Sequence, residues 1–307
     1  MARPAKNSGS DDNLGNMDIS PALQGWQYRP DRHNVRLIRG RDGKPKIQVR
    51  LDLGLLQMEV NGRPDGKRPH KSPTELHYHL QRLAEYRKAH RSDSGFMLTS
   101  AECEALREES SMFYHRYLSF FVMEEYSGVV RDTQHNLSVL DLCRAHGETP
   151  RDRSMLEEFR PYIIMMQGRA LACDAIAKGF ARTAMAYLRG ALRRIFKAYA
   201  LRGQEARRHA RHSKEALVLL DMLRQLRRQL PPDPRIKIRR QIKYAVAHEK
   251  YEQAAVLRDQ LMALDTASAG KPMVRPARKK ARASAPVAVR RRGSKPTGPS
   301  NGDSASG

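Results

Sequence analysis

The chain has little from which to build a covalent or metal framework: three cysteines, Cys103, Cys143 and Cys173, in 307 residues, with no CxxC pair. Neither a disulfide network nor a Cys-rich zinc site has the spacing it requires. Reduced, partly buried thiols are expected instead. Long apolar runs are also missing, since Leu118 to Met123 and Tyr162 to Met166 fall far short of the roughly 18 to 20 residues that span a bilayer. The start of the chain is rich in Ser, Asp, Asn and Gly and has no apolar segment behind a basic one. No secretory signal is readable, and a cytoplasmic setting is expected. No GxxxxGK[ST] segment occurs, which removes the loop that cradles nucleotide phosphates. Acidic residues are in the minority, 33 against 57 basic ones, for a net charge of +24. Such an excess suits a polyanionic partner or an acidic protein surface.

That excess is uneven. Residues 184–230 and 266–307 each carry +9, whereas residues 99–183 carry −3. Residues 1–24 are polar and lack a period, and residues 266–307 are basic and almost without large apolar groups; both are expected to be disordered because they bury too little to offset their ordering entropy. Residues 25–70 read as a small β element. Asn34 to Ile38 and Lys46 to Asp52 alternate in polarity around Asp42-Gly43, and Leu55 to Asn61 adds a third extended run before Asn61-Gly62.

Residues 71–230 read as a helical body. Ser72, Pro73 and Glu75 resemble a helix start with Leu76, Leu80 and Leu83 as its buried stripe. Long helices are expected from about Thr99 to Tyr126, from about Thr133 to His146, and from Ser154 to about Lys178 with a bend at Pro161. The strongest periodicity runs through Ala184, Tyr187, Leu188, Ala191, Leu192, Ile195, Phe196 and Tyr199. Ala216, Leu219, Leu223, Leu226 and Leu230 form a short heptad seam, better suited to a packed helix than to a dimer zipper. Prolines 231, 232 and 234 then break the chain. The fold class is therefore mainly α, an antiparallel helical array with a small N-terminal sheet and, at 231–265, a C-terminal helical hairpin.

That hairpin carries the clearest motif: Ala245-Val246-x-x-Glu249-x-Tyr251-Glu252-x-Ala254-Ala255-x-Leu257-Arg258-Asp259-x-Leu261. It resembles the UVR motif shared by UvrB and UvrC of nucleotide excision repair. The same motif occurs in a protease-associated ATPase and in the adaptor of a bacterial protein-arginine kinase. Leu51 to His70 is also similar to a stretch of bacterial proteins that end in this motif. The resemblance implies a protein-docking element, with Tyr251, Leu257 and Leu261 as apolar contacts, Glu249, Glu252, Arg258 and Asp259 as polar ones, and small Ala254 and Ala255 permitting close helix approach. UvrB, UvrC or a Clp- or kinase-type system are the partners it suggests. The alternative is a hairpin that packs on its own helical body. The ATPase loop, the paired CxxC sites of the kinase adaptor and the acidic nuclease cluster of UvrC are all absent, so only the docking module is shared.

Two basic segments could hold nucleic acid: Arg189, Arg193 and Lys197 on one helix face, and the tail residues Arg278, Lys279, Lys280, Arg290, Arg291 and Arg292. Solvated surface is the alternative for both. His77 and His79 point to different sides of a helix and suggest no metal site. Glu108-Glu109, Glu124-Glu125 and Glu157-Glu158 read as solvated acidic pairs. No nucleophile, base and orienter fall together, so the expectation is an interaction protein without catalytic residues or cofactors.

Overall fold

The computed structural model describes residues 18–230 and 234–268. After a single turn, α1 (Ser20–Leu23), come β1 (Asn34–Arg39), β2 (Pro45–Arg50) and β3 (Leu55–Glu59), an antiparallel sheet in the order β1-β2-β3. The expected hairpin and third strand are all present. Register pairs Ile47 with Leu37 and Met58, and Val49 with Val35 and Leu56. Ile47 and Met58 from this face join the main core. On the other face a polar row crosses all three strands. Arg36 Nε donates to Gln48 Oε1 (2.8 Å) and Gln48 Nε2 to Gln57 Oε1 (2.9 Å), while the Trp26 ring lies 4.0 Å from the Arg36 guanidinium.

The helices follow: α2 (Glu75–His90), α3 (Ser100–Val122), α4 (Tyr126–His146), the short α5 (Pro150–Ser154), α6 (Arg160–Ala177), α7 (Ala181–Ala200), the short α8 (Gln204–His209), α9 (Lys214–Gln229), α10 (Pro234–Ala247) and α11 (Tyr251–Ser268). Several boundaries differ from the periodicity. Thr74, not Ser72, caps α2 by accepting from His77 N at 3.0 Å. Its buried stripe is Leu76, His79 and Leu83, with Leu80 turned to solvent. The long helix expected to reach Tyr126 ends at Val122, because Glu124 adopts a left-handed φ of 61° and α4 begins at Tyr126. Pro161 does not bend a longer helix but stands in the first turn of α6, where its missing N–H costs nothing. At Thr99, by contrast, a full capping box with Glu102 starts α3 where the sequence placed it.

Packing proceeds through neighbours along the chain: α3 on α4, α4 on α6, α6 on α7, and α7 and α6 on α9. Gly168 permits the close approach of α6 to α7, since a Cβ there would sit 2.4 Å from Ala191 Cβ. Ala184, Leu188, Ala191, Leu192 and Ile195 of α7 meet Ala216, Leu219, Leu223 and Leu226 of α9 in one core. The heptad seam of α9 is therefore spent inside the chain. A second cluster joins Leu76 and Leu83 to Leu106, Val139 and Leu142.

One ion pair mounts the sheet on this body. Arg116 of α3, wholly buried, holds Asp132 of α4 in two bonds (Nε to Oδ2 2.7 Å, Nη2 to Oδ1 2.9 Å) and donates through Nη1 to the carbonyls of Glu59 (3.0 Å) and Gly62 (2.7 Å). Arg131 adds a bond to the Val60 carbonyl at 2.9 Å. The turn after β3 is thus gripped from two adjacent helices.

Candidate docking hairpin and basic surface

The geometry of the C-terminal hairpin follows from its small residues. Ala245 of α10 and Ala254 of α11 are the only buried residues among its described side chains, and they sit near the turn, where two methyl groups let the backbones close. Ile238 and Ile242 on α10, with Leu257, Leu261 and Leu264 on α11, continue the seam and are half-buried. The turn between the helices is a Schellman-type reversal: Lys250 N donates to the Ala245 carbonyl at 2.8 Å and Glu249 N to the Val246 carbonyl at 3.2 Å. Glu249 occupies the left-handed position, φ 56°, that glycine usually fills. Tyr251 follows at once as the first residue of α11. Tyr244 and His248, one turn apart at the end of the first helix, stack at 4.0 Å.

This arrangement divides the residues expected to dock. Ala254 lies in the seam, and Leu257 and Leu261 are largely committed to it, so they build the hairpin more than they face outward. Tyr251, 66% exposed, faces solvent, as do Glu249, Glu252, Ala255, Arg258 and Asp259. The spacing Tyr251, Ala255, Arg258, Met262 (i, i+4, i+7, i+11) sets these four on one outward face of α11. Sequence reasoning missed Met262, 67% exposed, and Val256, 56% exposed. At 100° per residue both stand roughly 100° or more from the stripe of Leu257, Leu261 and Leu264, so helical angle would have found them.

On α7, Arg189, Arg193 and Lys197 are all exposed on one face, and none forms an ion pair among the described residues. Lys197 borders an open groove of about 1030 Å³ with Arg144, Arg153 and Arg202 opposite Glu157 and Glu158. The neighbouring Arg194 reaches toward α6 instead, donating through Nη1 to Gln167 Oε1 at 2.6 Å, and partial desolvation there lowers its pKa. The basic tail residues Arg278, Lys279, Lys280, Arg290, Arg291 and Arg292 lie outside the described residues.

One other expectation changes. Glu109 is not solvated but fully buried, where it accepts from the backbone N–H groups of Glu75 (2.8 Å) and Leu76 (3.1 Å), capping α2 from a neighbouring helix. His135 approaches it at 3.1 Å. Burial raises the Glu109 pKa, but these hydrogen bonds outweigh it and hold the carboxyl below its ordinary value. Cys103 of α3 and Cys143 of α4, forty positions apart, are free thiols as expected, and both are buried in the second core cluster. Among the described residues no group of three or more His, Cys, Asp or Glu is placed to hold a metal ion. Nor is any described helix long and apolar enough to cross a membrane.

Comparison with known proteins picks out this same hairpin. No curated protein and no solved structure matches the chain. One family does, over residues 235–267 and therefore over nearly all of α10 and α11. By that match the C-terminal helical hairpin of this chain is a UvrB/uvrC motif.

Proposed function

We propose that this protein is a non-enzymatic adaptor that captures a partner protein through the C-terminal hairpin, in a bacterial cytoplasm. The observation that carries this reading is the division of labour within the motif. The seam residues close the hairpin on itself, and Tyr251, Ala255 and Arg258 are left on an outward face. Aromatic and arginine side chains are the residue types that anchor protein interfaces. A hairpin of this size buries too little to be a stable domain by itself, so further burial against a partner would be favourable. UvrB and UvrC are the first partners to test.

The test is capture of purified UvrB and UvrC, and of proteins from a nuclease-treated lysate, on immobilised full-length chain. Tyr251→Ala with Arg258→Glu should weaken capture by a factor of about ten or more, because each removes an anchor from one face. Unchanged capture would leave the hairpin a structural appendage.

A second reading draws on Arg189, Arg193 and Lys197, exposed together on α7 without ion pairs among the described residues. In this reading the basic face and tail hold DNA or RNA while the hairpin recruits a repair protein. Each phosphate contact contributes about 0.9 to the slope of log affinity against log salt, so reversing all three charges should flatten that slope by about three.

A further inference from the structure

The two helices of the C-terminal hairpin carry opposite charge. α10 holds Arg235, Lys237, Arg239, Arg240 and Lys243 and no acidic residue, whereas α11 holds Glu252, Asp259 and Asp265 against Arg258 alone. The cations are not neutralised across the seam. Lys237, Arg239, Arg240 and Lys243 are all exposed, and none of their side chains forms an ion pair among the described residues. They also stand close to one another. Arg239 and Lys243 lie at i, i+4, and Lys237, Arg240 and Lys243 at successive i, i+3, spacings at which like charges on a helix repel. An anionic partner on this face removes that repulsion.

An aromatic pair lies in the same stripe. Lys237, Arg240, Tyr244 and His248 (i, i+3, i+7, i+11) fall within about 80° of one another around α10, turned away from the seam of Ile238, Ile242 and Ala245. The stripe runs for three turns, roughly 16 Å. Tyr244 is 61% exposed, and the His248 ring stacks on it at 4.0 Å with the planes 30° apart. His248 Nδ1 donates to the Tyr244 carbonyl at 2.9 Å, which holds the imidazole in place behind the phenol. The basic stripe of Arg189, Arg193 and Lys197 on α7 contains no such platform. An acidic protein surface would match the cations and leave the ring pair without a counterpart. A duplex offers phosphates but keeps its bases stacked inside. Unpaired nucleotides offer a phosphate and a free π-face together.

We propose that the outward face of α10 binds single-stranded nucleic acid, with Lys237, Arg240 and Lys243 on phosphates and a base stacked on Tyr244. This face is separate from the Tyr251 and Arg258 face of α11, so the hairpin can hold a strand on one helix and a protein on the other. Binding here depends neither on capture through α11 nor on contacts made by α7.

The experiment is fluorescence anisotropy of the full-length chain with three labelled probes of about twelve nucleotides, within the range of single-strand site sizes. They are oligothymidylate, oligouridylate and a duplex. Other basic segments add charge for all three probes, so the readout is the change each variant makes in single-strand affinity relative to duplex affinity. Tyr244→Ala should lower single-strand affinity by about fivefold or more and leave the duplex unchanged, and Tyr244→Phe should restore it. Lys237→Ala with Arg240→Ala should flatten the slope of log affinity against log salt by about 1.4 for a single strand. Amide exchange over residues 234–268 checks that the hairpin stays folded in each variant, and protein capture through α11 should not change. Loss with Tyr244→Ala on either strand supports the proposal, and the tighter strand tells DNA from RNA. A duplex preference overturns it, as does single-strand affinity indifferent to Tyr244→Ala. Displacement of the strand by polyglutamate at equal charge would also overturn it and assign the face to an acidic protein surface.

Discussion

The helical body and the C-terminal hairpin solve the same problem, packing helix on helix, at very different depths. The body buries whole leucine and isoleucine side chains, Leu188, Ile195 and Leu219 among them, and can afford a closed ion pair at Arg116 and Asp132. The hairpin buries only Ala245 and Ala254 among its described side chains and leaves Tyr251, Val256 and Met262 more than half exposed. Both use small residues for close approach, Gly168 against Ala191 in the body and Ala245 with Ala254 in the hairpin. In the body that approach lies inside a finished core. In the hairpin it is nearly the whole of the core, and this is the sense in which the hairpin is suited to completion by something else.

The comparison can be broken or sharpened by mutation. The largest effect is expected from Asp132→Ala, which strands the buried Arg116 guanidinium and should destabilise the body by about 3–5 kcal/mol in urea denaturation. A loss under 1 kcal/mol, on the order of a surface pair, would show that the interior there is wet. Ala254→Leu overfills the hairpin seam and should cost about 1–3 kcal/mol locally. Amide exchange should quicken across residues 234–268 with the body's midpoint unchanged. A shifted body midpoint would contradict the separation drawn here.

Acid should weaken the body. Burial holds the His79 pKa below its ordinary 6.5, so below that pH the unfolded chain takes up a proton the folded one refuses, and stability falls. Glu109, held below its ordinary 4.5, adds a second loss as pH falls from there through its folded value. His79→Gln should remove the first loss from a stability–pH profile and leave the second. The smallest effect is Glu249→Gly, which relieves a left-handed non-glycine residue and should stabilise the hairpin by up to about 1 kcal/mol. Should partner capture weaken while the hairpin grows more stable, the Glu249 carboxylate would be serving recognition.

Much of this was legible in the sequence, for physical reasons. The sheet was, because alternation and Asp42-Gly43 are local signals, and so was α7, whose apolar spacing repeats over about four turns. The UVR resemblance located the hairpin because its pattern is ordered and close-set. Other features were hidden because they depend on contacts between distant segments. Glu109 looks like any acidic helix residue until α2 brings its amide groups to it, and Cys103 meets Cys143 only once α3 lies on α4. The division of docking residues was half legible: Leu257 and Leu261 are apolar whether they face a partner or the other helix, and periodicity does not distinguish the two.

The grip of Arg116 on the turn after β3 also bears on the order of folding. It joins groups 54 and 57 positions apart, whereas the strands pair across short turns. Strand pairing is thus local and quick, but the carbonyls of Glu59 and Gly62 gain their buried donor only after α3 and α4 have closed around Asp132. Docking of the sheet should therefore come late, after most of the loop-closure entropy has been spent. A late contact governs escape from the native state more than entry to it. In a chevron plot, loosening the clamp should steepen the loss through faster unfolding, with the refolding limb scarcely moved.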